Sequence, residues 1–357
     1  HDLNPEESIL LILNWIKNIK PYTKNFWKDS WNCYGISKRV VNWIDFITNN
    51  KNQISKKTID SFKTSILEQT RFLFHNLELD IRGNHLLKNI RCLLRVASFL
   101  DGQEIEFWIQ RSVKILKAEL EAQILKDGMH FELSPCYHAQ VFEDLLCIKR
   151  SLIHIKKNRN NFEFLNDLLN TLNFKINKMI TPLKLLTHSN GKHSLFGDGS
   201  LKITPRTDEL LVTSDYKNHD IEKINNIGSW KLEDSGFFGF KEDDSNFIYN
   251  TGEIGAKNLP AHGHGDIFSY EWSIGYQNFI IDTGVFEYHN GGKRNYSRST
   301  KAHNTLTIND EDQADFWSSF RVGRRANIFI NKIKLTKEQL FINAYHDGFY
   351  HLQGNPI

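Results

Sequence analysis

Apolar residues in the first half of the chain recur at i, i+3, i+4 and i+7, the spacing that places them on one face of an α-helix. Glycine and proline are scarce inside these stretches, and the polar links between them are short, as between antiparallel helices. The pattern predicts an all-helical domain over residues 1–190. Its seven helical stretches are ESILLILNWIKNI, SKRVVNWIDFITNN, TIDSFKTSILEQTRFLFHNLEL, NHLLKNIRCLLRVASFL, IEFWIQRSVKILKAELEAQIL, YHAQVFEDLLCIKRSLIHI and FEFLNDLLNTLNFKINKMI.

The period changes near residue 190, where SNGKHSLFGDGS has the composition of turns. Beyond it, short runs alternate between apolar and polar residues and are separated by Gly, Asn or Asp, which favours strands. These runs are ELLVTS, GFFGFKE, NFIYNTG, IFSYEWSIG, NFIIDTG, NTLTIND, RANIFINKI and LFINAYHDG. We therefore predict an α+β multidomain chain in which a second, antiparallel β domain covers residues 191–357.

Composition narrows the possible functions. The net charge of +3 is too small to favour nucleic-acid binding, and no run of 18 apolar residues predicts a membrane span. Four cysteines without a CxxC spacing argue against a thiolate zinc site. The chain starts with His and stops within HLQGNPI, so we expect a native start elsewhere and a β domain truncated at its C-terminal end.

Two polar clusters lie at predicted helix starts. Asn84, between Arg82 and His85, either caps its helix or presents an amide, with the flanking cation and imidazole, to an anion. In DGMHFELSPCYHAQ, Tyr137 lies just after a proline suited to a first helical turn. This loop either packs its tyrosine with the hydroxyl in water or displays catalytic groups.

Two further clusters lie in the predicted β domain. His262 and His264 are two residues apart, so in an extended chain both point to one face. They belong either to an ordinary solvated loop or to a catalytic or metal site, for which Asp282 and His303 offer zinc-type ligands. A hairpin turning near Tyr276 would pair Asp282 with Tyr270, so a shared metal requires the His264 segment to fold back. The segment DTGVFEYHNGGKRNYSRSTKAHNT is either a basic surface loop or an anion-binding rim, in which Lys293, Arg294 and Arg298 would match carboxylates or similar oxyanions.

Six short blocks carry a resemblance to a known family. From about Trp31 to about Ile330, the sequence resembles the heparinase II/III-like polysaccharide lyases, which include heparin-sulfate and alginate lyases. The blocks, in order, are RGNH, DGMHFELSPCYH, GDGS, HGHGDIFSYEW, DTGVFEY and RSTKAHNT. The resemblance implies an incomplete (α/α) toroid packed on an antiparallel β-sandwich, with an active site in the cleft between them.

The resemblance also implies roles for individual residues. Asn84 would bind the substrate carboxylate, and Tyr137 and His262 would be catalytic. Tyr288 would contact the substrate, and His85 would lie beside Asn84. From their charge alone, and not from the resemblance, we add Arg82, Arg294 and Arg298 as candidate substrate-binding residues. The implied ligands of one structural divalent metal, usually zinc, are His264, Asp282 and His303.

The implied reaction is β-elimination at a uronic acid of an anionic polysaccharide. Neutralising the carboxylate favours loss of the C5 proton, and one preorganised donor such as Asn84 contributes about 3 kcal/mol. We expect His262 to be the base and Tyr137 the acid, with Tyr137 in both roles as the alternative. A heparan sulfate-like substrate comes first, then alginate or a bacterial surface polysaccharide. An enzyme of this class is expected in the periplasm or secreted.

Two other functions compete with a lyase. A glycoside hydrolase on a helical toroid needs two carboxylates, for which Asp127, Glu132 and Asp144 are candidates. A non-catalytic glycan-binding or assembly protein would keep the scaffold alone. The hydrolase leaves the Asn, Tyr and His residues unexplained.

Overall fold

The computed structural model describes residues 4–159, 162–201, 203–214, 227–242 and 244–353. The helices there are α1 (Pro5–Asn18), α2 (Phe26–Asp29), α3 (Cys33–Asn49), α4 (Lys56–His75), α5 (Gly83–Ala97), α6 (Gln103–Gln123), α7 (Pro135–Asn158), α8 (Leu165–Leu185), α9 (Thr207–Thr213) and α10 (Gly292–Arg298). The strands are β1 (Gly228–Leu232), β2 (Phe237–Glu242), β3 (Ser245–Asn250), β4 (Tyr270–Ile274), β5 (Gln277–Ile280), β6 (Phe316–Trp317), β7 (Arg321–Val322), β8 (Ile328–Leu335) and β9 (Leu340–His346).

Side chains at the helix starts explain where several helices begin. Asn4 accepts a hydrogen bond from the Glu7 backbone, and the Glu7 carboxylate accepts one from the Asn4 backbone, which forms a capping box at α1. Ser55 caps α4 by accepting from the Thr58 backbone at 3.2 Å. The seven predicted helical stretches correspond to α1 and α3–α8.

The start of α5 corrects one interpretation. Arg82, with φ of 59°, is the residue before the helix, and Asn84 lies inside the first turn. The interpretation of Asn84 as the N-terminal cap is therefore wrong, because its backbone is already helical. Its side chain is buried.

Two predicted strands are also wrong. ELLVTS lies mostly in helix α9, whose first turn carries Asp208 and Glu209, and the Glu209 side chain accepts from the Arg206 backbone. NTLTIND forms no strand. Its Thr305 hydroxyl and Asn304 amide donate to backbone carbonyls of neighbouring segments, so side chains replace ladder hydrogen bonds.

The chain divides into two compact units. The first comprises residues 1–119 and 144–172, and the second comprises residues 120–143 and 173–357. The predicted domain boundary near residue 190 stays a prediction. None of the helices in the described ranges is both long and apolar enough to cross a membrane.

The first unit is helical and contains a buried charge cluster. The Asp144 carboxylate accepts from Lys88 at 2.8 Å and from Arg91 at 2.7 Å, and it is fully buried. Because a buried charge is costly unless it is paired, these three side chains fix α5 against the part of α7 that belongs to this unit.

The second unit is built on a five-stranded antiparallel sheet with the order β1-β2-β3-β4-β5, and two further hairpins pair β6 with β7 and β8 with β9. One face of the sheet packs on the end of α8 and on the loops beside it. The buried residues of this core are Met129, Leu185, Leu186, Phe196, Trp230, Leu232, Phe237 and Ile248. The core holds the sheet against the loops that carry most of the polar clusters.

Candidate active site

Tyr137 and His262 lie face to face in the second unit. Tyr137 is the third residue of α7, and His262 ends a short 3-10 turn over Pro260–His262. Their ring centroids are 3.8 Å apart and the ring planes are inclined by 24°. Both side chains are buried, at 7% and 8% exposure, so two residues predicted from separate blocks form one contact.

The Tyr137 hydroxyl has a second tyrosine as its neighbour. Its oxygen lies 3.0 Å from the hydroxyl oxygen of Tyr288. Burial, together with the charge of Asp198, raises the pKa of Tyr288 to about 12, so this phenol stays protonated. Tyr288 can therefore donate a hydrogen bond to the Tyr137 oxygen.

Asp198, which sequence analysis did not select, lies at the centre of the site. Its Oδ2 atom accepts from Nδ1 of His262 and its Oδ1 atom accepts from Nε2 of His264, each at 2.8 Å. Arg294 binds both carboxylate oxygens. Burial alone would raise the pKa of Asp198, but the hydrogen bonds from the two histidines outweigh it and hold the pKa well below its ordinary value.

Glu132 adds a second carboxylate beside His262. Its Oε2 atom lies 3.4 Å from Nε2 of the imidazole. Burial lowers the pKa of His262, but the hydrogen bond to Asp198 and the charges of Glu132 and Asp198 exceed that effect, against opposition from Arg294. The pKa of His262 is therefore raised, which favours the imidazolium form.

A glycine allows the Asp198 loop to approach the His262 turn. Gly197 has φ of +61°, and a Cβ atom there would lie 2.6 Å from the His262 carbonyl oxygen. The Asp198 backbone N–H donates to the same carbonyl at 3.1 Å. The block GDGS therefore forms a tight loop that aims a carboxylate at the histidine.

A second group, formed by Asp282, His303 and His264, lies beside the contact of Asp198 with His262. Both oxygens of Asp282 lie within 2.9 Å of Nδ1 of His303, and the rings of His264 and His303 are 5.3 Å apart. The β4–β5 hairpin turns at residues 275–276, and Trp272 pairs with Ile280, as expected for that turn. His264 lies outside this hairpin, in a segment where the Gly265 backbone N–H donates a hydrogen bond to the Arg298 carbonyl.

Whether these residues bind a metal stays a prediction. Across the described ranges, no group of three or more His, Cys, Asp or Glu side chains is arranged to hold an ion. Within the same ranges, Nδ1 of His264 is buried without a hydrogen-bond partner, and Nδ1 of His303 faces the Asp282 carboxylate. Two imidazole nitrogens and a carboxylate are a donor set that suits zinc, so the residues fit the ion chemically.

The basic segment does not form a surface rim. Arg294 and Arg298 are both buried, at 0% and 1% exposure, whereas Lys293 is exposed. Arg294 also donates to the Ser319 carbonyl, and Arg298 donates to the carbonyls of Ser318 and Arg321. Substrate binding by the two arginines stays a prediction. In the structure, the carboxylate that Arg294 binds is that of Asp198.

Three predicted site residues, Arg82, Asn84 and His85, belong to the first unit, where Arg82 and His85 contact other residues of that unit. Arg82 donates to Glu119 at 2.8 Å and stays half exposed. His85 lies 2.9 Å from Glu78 and packs against the Tyr34 ring at a tilt of 33°, with centroids 4.6 Å apart. Asn84 is buried beside them. Their roles in binding a carboxylate stay predictions.

The carboxylates considered for hydrolysis have other contacts. Asp127 accepts from the backbone and the hydroxyl of Ser235, each at 2.8 Å, and Asp144 pairs with Lys88 and Arg91. Both carboxylates therefore hold structure together. Of the three, Glu132 alone lies beside His262. The other carboxylate there, Asp198, is already bound by two histidines and Arg294, whereas a hydrolase needs two carboxylates that can act on substrate.

Two family models match the chain in sequence. The heparinase II/III N-terminus matches residues 5–201, and the heparinase II/III-like C-terminal model matches residues 225–357. The chain belongs to the heparinase II/III family. The family predicted from six short blocks is thereby confirmed.

Two bacterial relatives match this heparinase II/III family member in sequence. The heparin-sulfate lyase of Pedobacter heparinus is 27% identical over 251 residues, a match that covers 65% of this chain and 37% of that protein. The heparin-sulfate lyase of Bacteroides thetaiotaomicron is 22% identical over 347 residues, covering 84% of this chain and 47% of that protein. The chain spans less than half the length of these relatives.

Solved heparinase III structures have the same fold. One aligns with a TM-score of 0.70 at 18% identity and covers 92% of this chain and 53% of that chain. A second aligns with a TM-score of 0.65 at 17% identity and covers 95% and 56%. The predicted fold class, an incomplete (α/α) toroid followed by an antiparallel β-sandwich, is confirmed.

Proposed function

We propose that this heparinase II/III family member is a polysaccharide lyase that cleaves a uronate-containing polysaccharide by β-elimination. The observation that carries the proposal is the buried stack of Tyr137 on His262, backed by the Asp198 carboxylate. A tyrosine stacked on an imidazole suits elimination better than hydrolysis, because the Asp198 carboxylate beside them is already bound by two histidines and Arg294. Heparan sulfate is the first substrate choice, because the matched curated relatives are named heparin-sulfate lyases. Alginate and bacterial surface polysaccharides come next.

β-Elimination sets a definite task for the site. A base removes the C5 proton next to the ionised carboxylate, and the C4 oxygen leaves with a proton from an acid. Donors that neutralise the carboxylate lower the barrier, since negative charge builds up on it as the proton leaves. We assign this role to Asn84, with Arg82 or His85 as an additional donor.

The surroundings of His262 favour one assignment of the base and acid roles. An imidazolium cannot accept the C5 proton, and the raised pKa of His262 favours that form. We therefore assign both proton transfers to Tyr137, which is the alternative to the expected pair of His262 as base and Tyr137 as acid. The stacked cation favours the phenolate form of Tyr137, because an opposite charge nearby stabilises an ionised group. The Tyr288 hydroxyl, 3.0 Å away, can donate a hydrogen bond to the same oxygen.

We further propose that His264, Asp282 and His303 hold one divalent metal, with zinc as the first choice. When bound, the ion would supply structural cross-linking of the loop at His264 to the segments that carry Asp282 and His303. The buried Nδ1 of His264, which has no hydrogen-bond partner in the described part of the chain, and the contact of Nδ1 of His303 with the Asp282 carboxylate support this assignment. Because uronate polysaccharides lie outside the cytoplasm, we place the enzyme in the periplasm or the medium.

Incubation with uronate polysaccharides tests the function. The proposal requires the ultraviolet absorbance of an unsaturated uronate at the new non-reducing end. Saturated product ends would indicate a hydrolase, and binding without cleavage would indicate a glycan-binding protein.

A further inference from the structure

The Asp198 carboxylate connects the two histidines of the HGHG segment. His262 and His264 donate to different oxygens of this one carboxylate, each at 2.8 Å. We propose that Asp198 is a positioning residue that fixes both imidazoles at once and thereby couples the metal-binding site to the proton-transfer site. This proposal rests on the proposed function, but it has a readout that does not depend on lyase activity.

The hydrogen bonds determine which ring nitrogen each histidine offers. An ionised carboxylate can only accept hydrogen bonds, so Nδ1 of His262 and Nε2 of His264 must both carry hydrogens. His262 then presents Nε2 on its other side, where Glu132 lies 3.4 Å away. His264 presents Nδ1, which is buried and has no hydrogen-bond partner in the described part of the chain. A ligand nitrogen held by a carboxylate on the far side of the ring is the usual arrangement around protein-bound zinc.

Asp198 is itself held from three directions. Arg294 binds both of its oxygens, and this guanidinium is fully buried and donates as well to the Ser319 carbonyl. The Asp198 backbone N–H donates to the His262 carbonyl, and the preceding Gly197 backbone donates to Asp266 at 2.9 Å. Because these contacts hold both the loop and the carboxylate, we expect a change at one histidine to alter the other.

Asp198→Asn is the direct test, because it keeps the size of the side chain and removes the charge. The amide of Asn has one oxygen and one NH2 group, so its NH2 group would face one of the two imidazole N–H groups. Two donors cannot form a hydrogen bond with each other, so that histidine must flip or change tautomer. We expect kcat to fall about 100-fold or more with KM within a few-fold, and metal affinity to fall about 10- to 100-fold. Metal affinity is measured by competition with a chromogenic zinc chelator.

Asp127→Asn is the matched control. It is the same substitution in the same unit, and Asp127 clamps the Ser235 backbone and hydroxyl. This control is expected to lower the melting temperature while metal affinity per folded molecule stays unchanged.

Nitrogen NMR of histidine-labelled wild-type protein keeps the test independent of how the variant folds. The zinc-loaded protein should show His264 with its proton on Nε2 and its metal on Nδ1. The opposite tautomer would overturn the proposal.

The measurements distinguish failure of the Asp198 proposal from failure of the proposed function. Loss of kcat with metal affinity intact, or the reverse, would overturn the coupling, as would losses that only follow the unfolded fraction. If wild-type protein cleaves no uronate polysaccharide, the proposed function fails, while the metal-affinity and NMR results still decide the role of Asp198.

Discussion

The ring of Tyr137 lies flat against the imidazole of His262, with centroids 3.8 Å apart. The contact joins the first turn of α7 to the 3-10 turn over Pro260–His262. It places a phenol directly beside an imidazole whose pKa is raised by Asp198 and Glu132 despite burial. The account of catalysis follows from this contact, since the cation makes the phenolate of Tyr137 accessible.

Tyr137→Phe removes the hydroxyl and keeps the stacked ring. We expect kcat on heparan sulfate to fall about 100- to 10,000-fold, the range for loss of a positioned proton-transfer group, with little change in melting temperature. Tyr345→Phe is the matched control, because Tyr345 lies in β9 and stacks on Phe329. Equal activity of the two variants would remove Tyr137 from the mechanism.

His303→Ala tests the metal site. Loss of one of three ligands should leave less than one metal per chain by elemental analysis, whereas replacing the exposed His289 should leave the ratio at the wild-type level. Free zinc at about 100 times its Kd should raise the free energy of unfolding of the wild type by about 2.7 kcal/mol, and of His303→Ala by much less. Wild-type protein that carries no metal after zinc loading would refute the assignment.

A buried histidine makes stability depend on pH. Nδ1 of His138 accepts from the His130 backbone at 3.1 Å, and Nε2 donates to the Met179 carbonyl at 2.9 Å, so only the neutral ring satisfies both bonds. Burial lowers the pKa of His138 to about 4 from 6.5, although the bond to Met179 opposes this. The unfolded chain therefore binds more protons between these values, and stability is lost as pH falls through that window.

The expected loss of unfolding free energy from His138 is on the order of 3 kcal/mol between pH 6.5 and 4. Denaturant unfolding across this range measures it. His138→Asn keeps an acceptor for the His130 backbone but cannot titrate, so its stability should depend less steeply on pH. Identical slopes for the variant and the wild type would contradict the assignment.

The sequence predicted the regular elements better than the irregular ones. Helices such as α3 and α5 bury one face, which leaves a period in the sequence. The hairpin at Tyr276 was also predictable, because the alternation of β4 and β5 fixes its register. Segments tied down by side chains, such as the one at Thr305, carry no such period.

Part of the site was predictable for a different reason. Tyr137 and His262 came from short blocks that resemble a family, but their contact depends on tertiary packing. Asp198 was missed because GDGS has the composition of a turn, and its role depends on partners distant in sequence. A dense run of basic residues suggested a surface for Arg294, whereas pairing with Asp198 lets that arginine be buried.

Asp144→Asn separates a structural carboxylate from a catalytic one. It leaves the buried Lys88 and the partly buried Arg91 without their shared counter-charge, so we expect the free energy of unfolding to fall by about 3–5 kcal/mol. Asp101→Asn, at an exposed partner of Arg159, should leave it almost unchanged. Activity per folded molecule should match the wild type; selective loss of activity without loss of stability would revive the hydrolase hypothesis.

The most direct test is the structure of the product end. Heparan sulfate, alginate and a bacterial surface polysaccharide are incubated with the wild type and with Tyr137→Phe, and the products are followed by ultraviolet absorbance and mass spectrometry. A lyase predicts rising absorbance from unsaturated uronate ends with wild type and almost none with Tyr137→Phe. Cleavage that leaves saturated ends heavier by one water, or equal absorbance with both proteins, would contradict the account.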